Sequence, residues 1–176
     1  TRYANNLMKE LPRIPRVATY EQFLAFAQAG RELAKLHVRF EEVKPYEGIA
    51  LEYTQPGQPS YRVKQMKWGK IAGKTGNAAK DKTTLIYNDW ITVKNIPLEA
   101  QEYIVNKKSA LDWVVERACV SIDRVSSIVN DFNDYATDKG SDRYPLDLFL
   151  KVITVSLQTM EIVKGLPKLE IHPLDK

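Results

Sequence analysis

The sequence predicts an α+β fold, in which a mainly helical scaffold carries a small antiparallel β-hairpin or sheet with a basic loop. Helical periodicity recurs in separate parts of the chain, and two strand-like runs flank a connection rich in Gly, Lys and Asn. The helical segments are Thr19–Arg39, Ala110–Ala118 and Leu146–Lys164, and the strand-like runs are Tyr61–Trp68 and Thr83–Val93. With 176 residues the chain can bury a core without disulfides, so we expect one domain over residues 1–176. Because it opens at Thr1 without methionine, we expect a fragment of a larger protein.

The scaffold helix, Thr19–Arg39, begins with a capping signal. Thr19 and Gln22 have the spacing of a capping box, in which two side chains satisfy free N–H groups of the first turn. From Phe23 to His37 apolar residues recur at the helical period, which predicts one buried stripe. We interpret His37, which lies on this stripe, as a core histidine with a hydrogen-bond partner.

A basic hairpin is predicted over residues 61–93. It follows a connector rich in Pro and Gly that contains a short strand, Ile49–Tyr53. In the second arm of the hairpin, alternate apolar residues face one way, and these are Leu85, Tyr87, Ile91 and Val93. The intervening pair Asn88-Asp89 predicts a bend or bulge.

The remaining part, residues 97–165, is predicted to be mainly helical. Pro97 suits the first position of a helix that runs through Val105, and Ser109 suits the N-cap of the next helix. The irregular apolar spacing of Val120–Ala136 favours a turn followed by a short helix. Gly165 is placed to end the last helix.

The positive charge of the chain is concentrated in the first half of the hairpin. Residues 61–82 contain seven basic residues and one acidic residue, a net charge of +6, whereas the whole chain carries +4. The basic residues are Arg62, Lys64, Lys67, Lys70, Lys74, Lys80 and Lys82. One positive projection on a slightly acidic body predicts a surface that binds phosphates.

The sequence gives little support for a catalytic or cofactor-binding motif. Gly73-Lys74-Thr75 is like the end of a P-loop, but the glycine that this motif needs five residues earlier is replaced by Trp68. A basic strand precedes these residues and Gly76-Asn77 follows them, which is unlike the buried strand and helix of a P-loop. We therefore interpret them as a flexible, basic hairpin tip.

The sequence gives equally little support for a metal or redox site. The two histidines, His37 and His172, have no cysteine partners, so no zinc site is predicted. Four aspartates recur at helical spacing and could hold a divalent cation, namely Asp131, Asp134, Asp138 and Asp142. An exposed charged face or a set of helix caps is the simpler interpretation of these residues. The single cysteine, Cys119, excludes an intrachain disulfide and is typical of a cytoplasmic protein. No apolar run is long enough to cross a membrane. We expect no catalytic site, metal or cofactor in this fragment.

Four blocks, in order along the chain, resemble the C-terminal specificity region of type ISP restriction–modification enzymes and of the large bacterial DEAD/DEAH-box helicase-like proteins that share it. The first is LPRIP followed by AGRELAKLHVRFE (Ala29–Glu41). The second is YRVKQMKWGK followed by DKTTLIYNDWITVKNIPLEAQEYIVNKKSALDWVVER (Asp81–Arg117). The others are SSIVNDFNDYA (Ser126–Ala136) and RYPLDLFLKVITVSLQTMEIVKGLP (Arg143–Pro167).

The resemblance implies that the chain is the C-terminal target recognition domain of a very long polypeptide. In that family the polypeptide joins a nuclease, a helicase-like ATPase and an adenine N6-methyltransferase to the recognition domain. It therefore implies ATP, Mg²⁺ and S-adenosylmethionine as cofactors of the parent protein. It also implies two partners for this domain, double-stranded DNA and the methyltransferase domain of the same polypeptide, and a cytoplasmic location.

Together, the charge pattern and the resemblance predict how the hairpin meets duplex DNA. Lysines of the Gly-rich connection are expected to contact phosphates, which fix register without specifying sequence; these are Lys70, Lys74, Lys80 and Lys82. Side chains of the first arm are candidates for base contacts in the major groove, with Asn77 at the tip; these are Arg62, Lys64, Gln65 and Lys67. Arg and Lys favour guanine, whereas Gln and Asn favour adenine.

Two less specific interpretations compete with this prediction. Any one of these lysines alone is equally well explained as a solvated surface charge. The whole chain could also be an interaction module, whose helices pack against a neighbouring domain or subunit while the hairpin is only an exposed, solubilising loop.

Overall fold

A computed structural model of the chain describes residues 16–169, except for the side chains of Asn77 and Ala78. Helices and antiparallel strands are mixed along this part of the chain, so the predicted α+β class is confirmed. The helices are α1 (Tyr20–Val38), α2 (Ala110–Arg117), α3 (Asp134–Asp138) and α4 (Tyr144–Lys164). The strands are β1 (Ala50–Tyr53), β2 (Lys67–Lys70), β3 (Lys80–Ile86), β4 (Ile91–Lys94), β5 (Ile104–Val105), β6 (Lys108–Ser109), β7 (Val120–Ile122) and β8 (Val129–Asp131).

Helix α1 begins at the predicted cap. The Thr19 side-chain oxygen accepts a hydrogen bond from the backbone N–H of Gln22 at 3.2 Å. His37 Nε2 lies 2.9 Å from Thr159 Oγ1, and the His37 ring stacks on Tyr103. This histidine therefore has the hydrogen-bond partner that was expected for it. The predicted stripe is less buried than expected, because only Leu36 is fully covered in this helix.

The core lies between the four-stranded antiparallel sheet and helices α2 and α4. The strand order is β1–β4–β3–β2, which places β1 and β2 at the edges. The four alternating residues of the predicted second arm are all fully buried, namely Leu85, Tyr87, Ile91 and Val93. They join Phe149 and Ile153 of α4 in one cluster, and Trp68 of β2 meets Phe149 edge to face. The alternation of apolar residues in the sequence therefore identifies the face of the sheet that is buried on folding.

The predicted hairpin is part of this sheet, and its arms differ from the expectation. Of the predicted first arm, Tyr61–Trp68, only Lys67 and Trp68 belong to a strand, β2 (Lys67–Lys70), and the second arm is divided into β3 and β4. Asn88 causes this division, because its Oδ1 accepts hydrogen bonds from the backbone N–H groups of Trp90 and Ile91, both at 2.8 Å. The expected bend is therefore a complete reversal of the chain.

One prediction in residues 97–136 is wrong, and another, the turn followed by a short helix in Val120–Ala136, omitted two strands. In place of a helix over Pro97–Val105 there is a 3₁₀ turn, Leu98–Gln101, followed by the tight β5–β6 hairpin. Positive φ angles at Asn106 and Lys107 (48° and 70°) form its two-residue turn, a backbone that no helix contains. In Val120–Ala136 the strands β7 and β8 form a second hairpin before the short helix α3.

Candidate nucleic-acid interface

The segment Ser60–Met66 carries most of the predicted base contacts, and side chains from distant elements hold its backbone. We call it the tethered segment. Asn133, which is buried, accepts a hydrogen bond from Val63 N at 2.8 Å and donates one to Val63 O at 2.8 Å. One amide thus replaces the two ladder bonds that a neighbouring strand would have made.

The other tethers come from the β3–β4 turn and from β7. Tyr87 Oη donates to Tyr61 O at 2.6 Å, and Asn88 Nδ2 donates to Ser60 O at 2.7 Å and to Arg62 O at 3.0 Å. The backbone N–H of Val120 donates to Lys64 O at 3.0 Å. The backbone of the tethered segment is therefore fixed although it belongs to no strand.

This fixed backbone divides its side chains into two sets. Val63 and Met66 are buried in the core, whereas Lys64, Gln65 and Lys67 are exposed. The exposed side chains line a groove of about 900 Å³, which we call the basic groove. The groove is also lined by Asn88, Asp89, Trp90, Ser121 and Ile122, none of which was a predicted site residue.

Arg62 also lines the basic groove, but its charge is partly used inside the molecule. Its guanidinium forms an ion pair with Asp131, which also accepts a hydrogen bond from Asn133 Nδ2 at 2.6 Å. Burial raises the pKa of Asp131, yet hydrogen bonds from Asn133 and Arg62 outweigh it, and the pKa is lowered overall. Arg62 therefore ties the tethered segment to β8 and keeps a mostly exposed side chain.

Lys82 differs from the expectation that it contacts phosphate. Its ammonium forms an ion pair with Asp112 and lies 4.4 Å from the centre of the Trp68 ring. The Trp68 indole N–H donates to the same Asp112 carboxylate at 2.8 Å. Lys82 thus joins the sheet to helix α2, and we do not retain it among the DNA contacts.

The other predicted phosphate contacts lie at the far end of β2 and β3, which we call the basic tip. Lys70 and Lys80 are direct partners across the two strands, and Lys74 lies in the loop between them, where Gly73 has a φ of +75°. Like charges directly opposite one another destabilise a sheet. Within residues 16–169 no carboxylate lies within 4.0 Å of these three ammonium groups. The Asn77 side chain lies outside the described residues, so its predicted role stays a prediction.

An irregular register separates the basic tip from the basic groove. The register shifts between Trp68 and Gly69, so that Lys82–Thr84 form a bulge in β3. A Cβ atom at position 69 would lie 3.0 Å from Thr84 Cβ, which explains the glycine there. Lys67 and Lys70, the nearest members of the two groups, are roughly 10 Å apart along the strand. The predicted site residues therefore form two separate groups.

The Lys82–Asp112 pair predicts an acid-sensitive contribution to stability. Burial raises the pKa of Asp112, but hydrogen bonds from Lys82 and Trp68 and the charge of Lys82 lower it overall. A carboxylate with a lowered pKa stabilises the fold above its unfolded pKa of about 3.9, and this contribution is lost as the pH falls through the folded value. Asp112→Asn is expected to reduce the free energy of unfolding by about 1–3 kcal/mol at pH 7. In urea denaturation the difference from the wild type should shrink below about pH 4.

Asp138→Asn is the control for this measurement, because Asp138 lies on the exposed surface of the short helix α3. It should change stability by less than about 0.5 kcal/mol. An Asp112→Asn effect of the same size at pH 7 and pH 3 would show that the charge of Asp112 contributes nothing.

Within the described part of the chain, no group of three or more His, Cys, Asp or Glu side chains is arranged to hold a metal ion. The helices described there include none that is long and apolar enough to span a membrane. The site combines exposed cations and amides with one exposed carboxylate, Asp89, and its cations and amides are typical of nucleic-acid interfaces.

Family comparison identifies the class of domain. The model of the Type ISP C-terminal specificity domain matches residues 1–148, and the chain belongs to this family. The resemblance found in the four sequence blocks is thereby confirmed. No curated protein sequence matches the chain significantly.

Solved structures of three larger proteins contain the same fold. One is a nuclease-deletion mutant of the Type ISP restriction-modification enzyme LlaGI in complex with a DNA substrate mimic, with 40% identity and a TM-score of 0.77 over 98% of this chain. Another is the ATP-dependent Type ISP restriction-modification enzyme LlaBIII bound to DNA, with 38% identity and a TM-score of 0.78 over 97%. The third is a DrdV–DNA complex, with 29% identity and a TM-score of 0.73 over 97%. This chain spans only 15%, 10% and 16% of those three chains, respectively.

Proposed function

We propose that this domain recognises a target sequence in duplex DNA on behalf of a larger restriction–modification polypeptide. The similar structures of LlaGI, LlaBIII and DrdV contain DNA or a DNA mimic, which supports this role. ATP, Mg²⁺ and S-adenosylmethionine would act in other parts of that polypeptide, and the catalytic steps would take place there.

The observation that carries the proposal is the basic groove. Lys64 and Gln65 extend into solvent from the tethered segment, whose backbone is held by Asn133, Asn88 and Tyr87, and Lys67 extends from strand β2. In the part of the chain described here, no carboxylate pairs with either lysine. Because the backbone is already fixed in the free domain, only these side chains become ordered on binding, which lowers the entropic cost of their hydrogen bonds to base edges.

The basic tip serves a different purpose in this proposal. Lys70, Lys74 and Lys80 contact the phosphate backbone and set the register of the domain on the duplex. Their mutual repulsion in the free protein is relieved when a polyanion lies over them. Lys64, Gln65 and Lys67 then contact bases from the other end of the β2–β3 ribbon.

A second surface supports docking on a neighbouring domain. The start of α1 exposes Tyr20, Phe23 and Leu24, whose side chains are 68%, 54% and 43% accessible. Adjacent large apolar side chains of this exposure mark an interaction surface. We propose that this end of α1 packs on the methyltransferase domain of the same polypeptide, while the basic groove faces DNA.

The salt dependence of DNA binding tests the proposed function. The triple variant Lys70→Ala, Lys74→Ala, Lys80→Ala should bind all duplex sequences more weakly. The slope of log K against log salt concentration should become shallower by roughly 3, since each phosphate contact contributes about 0.9. Binding is measured by fluorescence anisotropy with a labelled duplex of mixed sequence between about 50 and 200 mM salt.

The matched control is Lys35→Ala, Lys44→Ala, Lys168→Ala, which removes three exposed lysines from other elements and changes the net charge equally. It should leave the slope nearly unchanged. A wild-type chain that fails to bind duplex DNA at low salt, or equal slopes for both triple variants, would contradict the proposed function.

A further inference from the structure

The β7–β8 hairpin projects from the body of the domain. Every residue from Ser121 to Asn130 is exposed, so neither face of this two-stranded ribbon is covered by the described part of the chain. The β2–β3 ribbon differs, because it belongs to the four-stranded sheet and buries one face. We call residues 120–131 the projecting ribbon.

The tip of the projecting ribbon has a defined shape although it buries no core. Asp123 Oδ1 accepts hydrogen bonds from Val125 N at 3.0 Å, Ser126 N at 2.7 Å and Ser126 Oγ at 2.9 Å. The backbone N–H of Asp123 donates to Ile128 O at 2.9 Å, and Ser127 adopts a positive φ of 58°. This turn holds Val125 in solvent with 96% of its surface exposed. Ile122, Ile128 and Val129 of the same ribbon are 64%, 60% and 58% exposed, so Val125 belongs to a group of solvated apolar side chains, and such a group indicates an interaction site.

The projecting ribbon offers a ligand hydrogen-bond donors and methyl groups in place of free carboxylates. Counted with Arg62, its formal charge is zero, because Arg62 and Arg124 balance Asp123 and Asp131. Its two carboxylates are already used, since that of Asp123 closes the turn and that of Asp131 binds Arg62 and Asn133. Arg124 is exposed, and within residues 16–169 it has no ion-pair partner. The groups left for a ligand are a guanidinium, hydroxyls, an amide and methyl groups.

The projecting ribbon is also continuous with the basic groove. Ser121 and Ile122 line that groove together with Lys64 and Lys67. Two contacts fix the ribbon to the tethered segment. One is the ion pair between Arg62 and Asp131, and the other is an antiparallel β-bridge between Gln65 and Cys119, which directly precedes the ribbon. A duplex held against the two lysines would therefore meet the ribbon as well.

We propose that the projecting ribbon is a second base-contacting element, which enters the major groove beside the tethered segment. This inference rests on the proposed DNA-binding function. The major groove is about 12 Å wide and admits a two-stranded ribbon. Arg124 binds a guanine edge, and the methyl groups of Val125 contact a thymine methyl, which are the base features that these side chains fit. The domain thus specifies its target with two elements separated by the basic groove.

Sequence selection from a pool of duplexes with a randomised central region tests this inference. The double variant Arg124→Ala, Val125→Ala should select a motif that is degenerate at one or two positions specified by the wild type. For the wild-type motif its affinity should fall by roughly 5- to 150-fold, the discrimination that one good base contact provides. Affinity for an unrelated duplex should change much less, because Lys70, Lys74 and Lys80 are intact.

The matched control is Arg31→Ala, Val38→Ala, which makes the same two changes at exposed positions of α1. It should select the wild-type motif. If Arg124→Ala, Val125→Ala selects the same motif with the same affinity as the wild type, the inference is overturned while the proposed function stands. That result together with weaker binding to the separately purified remainder of the parent polypeptide would assign the ribbon to protein docking. A wild-type chain that binds no duplex would overturn both proposals.

Discussion

Replacing Lys64 and Lys67 together by alanine is expected to lower the affinity of the domain for its target duplex by at least about 30-fold. Both side chains are exposed, lie on a backbone that is fixed in the free domain and line the same groove. Because each has no carboxylate partner in the part of the chain that the structure describes, its whole charge is available to DNA. Two lost base contacts of about 1 kcal/mol or more each give this factor. Equilibrium titration of the selected duplex at fixed salt measures it.

The control for this variant is Lys35→Ala, Lys44→Ala, which has the same net charge but alters lysines outside the groove. We expect it to lower affinity by less than about three-fold, as a long-range electrostatic effect. The ratio of target to non-target affinity separates base contacts from phosphate contacts. If Lys64→Ala, Lys67→Ala weakens both duplexes equally, the two lysines contact only phosphates and the basic groove does not specify sequence.

Capping residues and apolar alternation in the sequence correctly predicted two helix starts and the buried face of the central strands. Thr19 and Ser109 cap helices α1 and α2 as their hydroxyl side chains suggested, and Ser109 Oγ accepts from Asp112 N at 3.0 Å. The alternation from Leu85 to Val93 identified the buried face of the central strands. These features were predictable because each is decided by residues a few positions apart.

The errors lie where local and tertiary preferences compete. The irregular spacing of Ile122, Val125 and Ile128 indicated a turn but not the strands of the β7–β8 hairpin that flank it, and all three side chains are exposed. Asp123 forms this turn by accepting hydrogen bonds from the N–H groups of Val125 and Ser126, the local bonding by which aspartate favours turns. Asn106 at the first position of a two-residue turn was a usable signal for the β5–β6 hairpin, because asparagine tolerates positive φ.

The candidate site was predictable only in part, for the same reason. The charge count identified the lysines, whereas the burial of Val63 and Met66 among them follows no strict alternation. Nothing near Lys82 in the sequence indicated that Asp112 would neutralise it. The basic groove itself depends on Asn133, which lies 70 positions from the backbone that it binds. Residues so far apart in the sequence meet only in the folded chain, so a local sequence pattern cannot predict their contact.

Asn133→Ala is expected to destabilise the domain strongly, because it removes the amide that holds the Val63 backbone. Val63 is fully buried, so loss of the Asn133 amide leaves the Val63 N–H and C=O without partners and away from water. Each unsatisfied buried group costs about 1–3 kcal/mol, so the two groups give a loss of roughly 2–6 kcal/mol in the free energy of unfolding. For a chain of this size the midpoint of thermal unfolding should fall by roughly 4–24 °C. Differential scanning calorimetry measures both quantities.

Two further substitutions separate the hydrogen bonds of Asn133 from its volume. Asn133→Asp keeps the shape and still accepts from Val63 N, but an ionised carboxylate cannot donate to Val63 O and lies beside Asp131. It should destabilise the domain at pH 7 at least as much as Asn133→Ala, and partly recover as the pH falls and the new carboxyl group gains a proton. Asn130→Ala, at an exposed position of the nearby projecting ribbon, should change the stability by less than about 0.5 kcal/mol. An Asn133→Asp domain as stable as the wild type at pH 7 would show that the tethered segment does not depend on this amide, and the preorganisation of Lys64 and Lys67 would then need another cause.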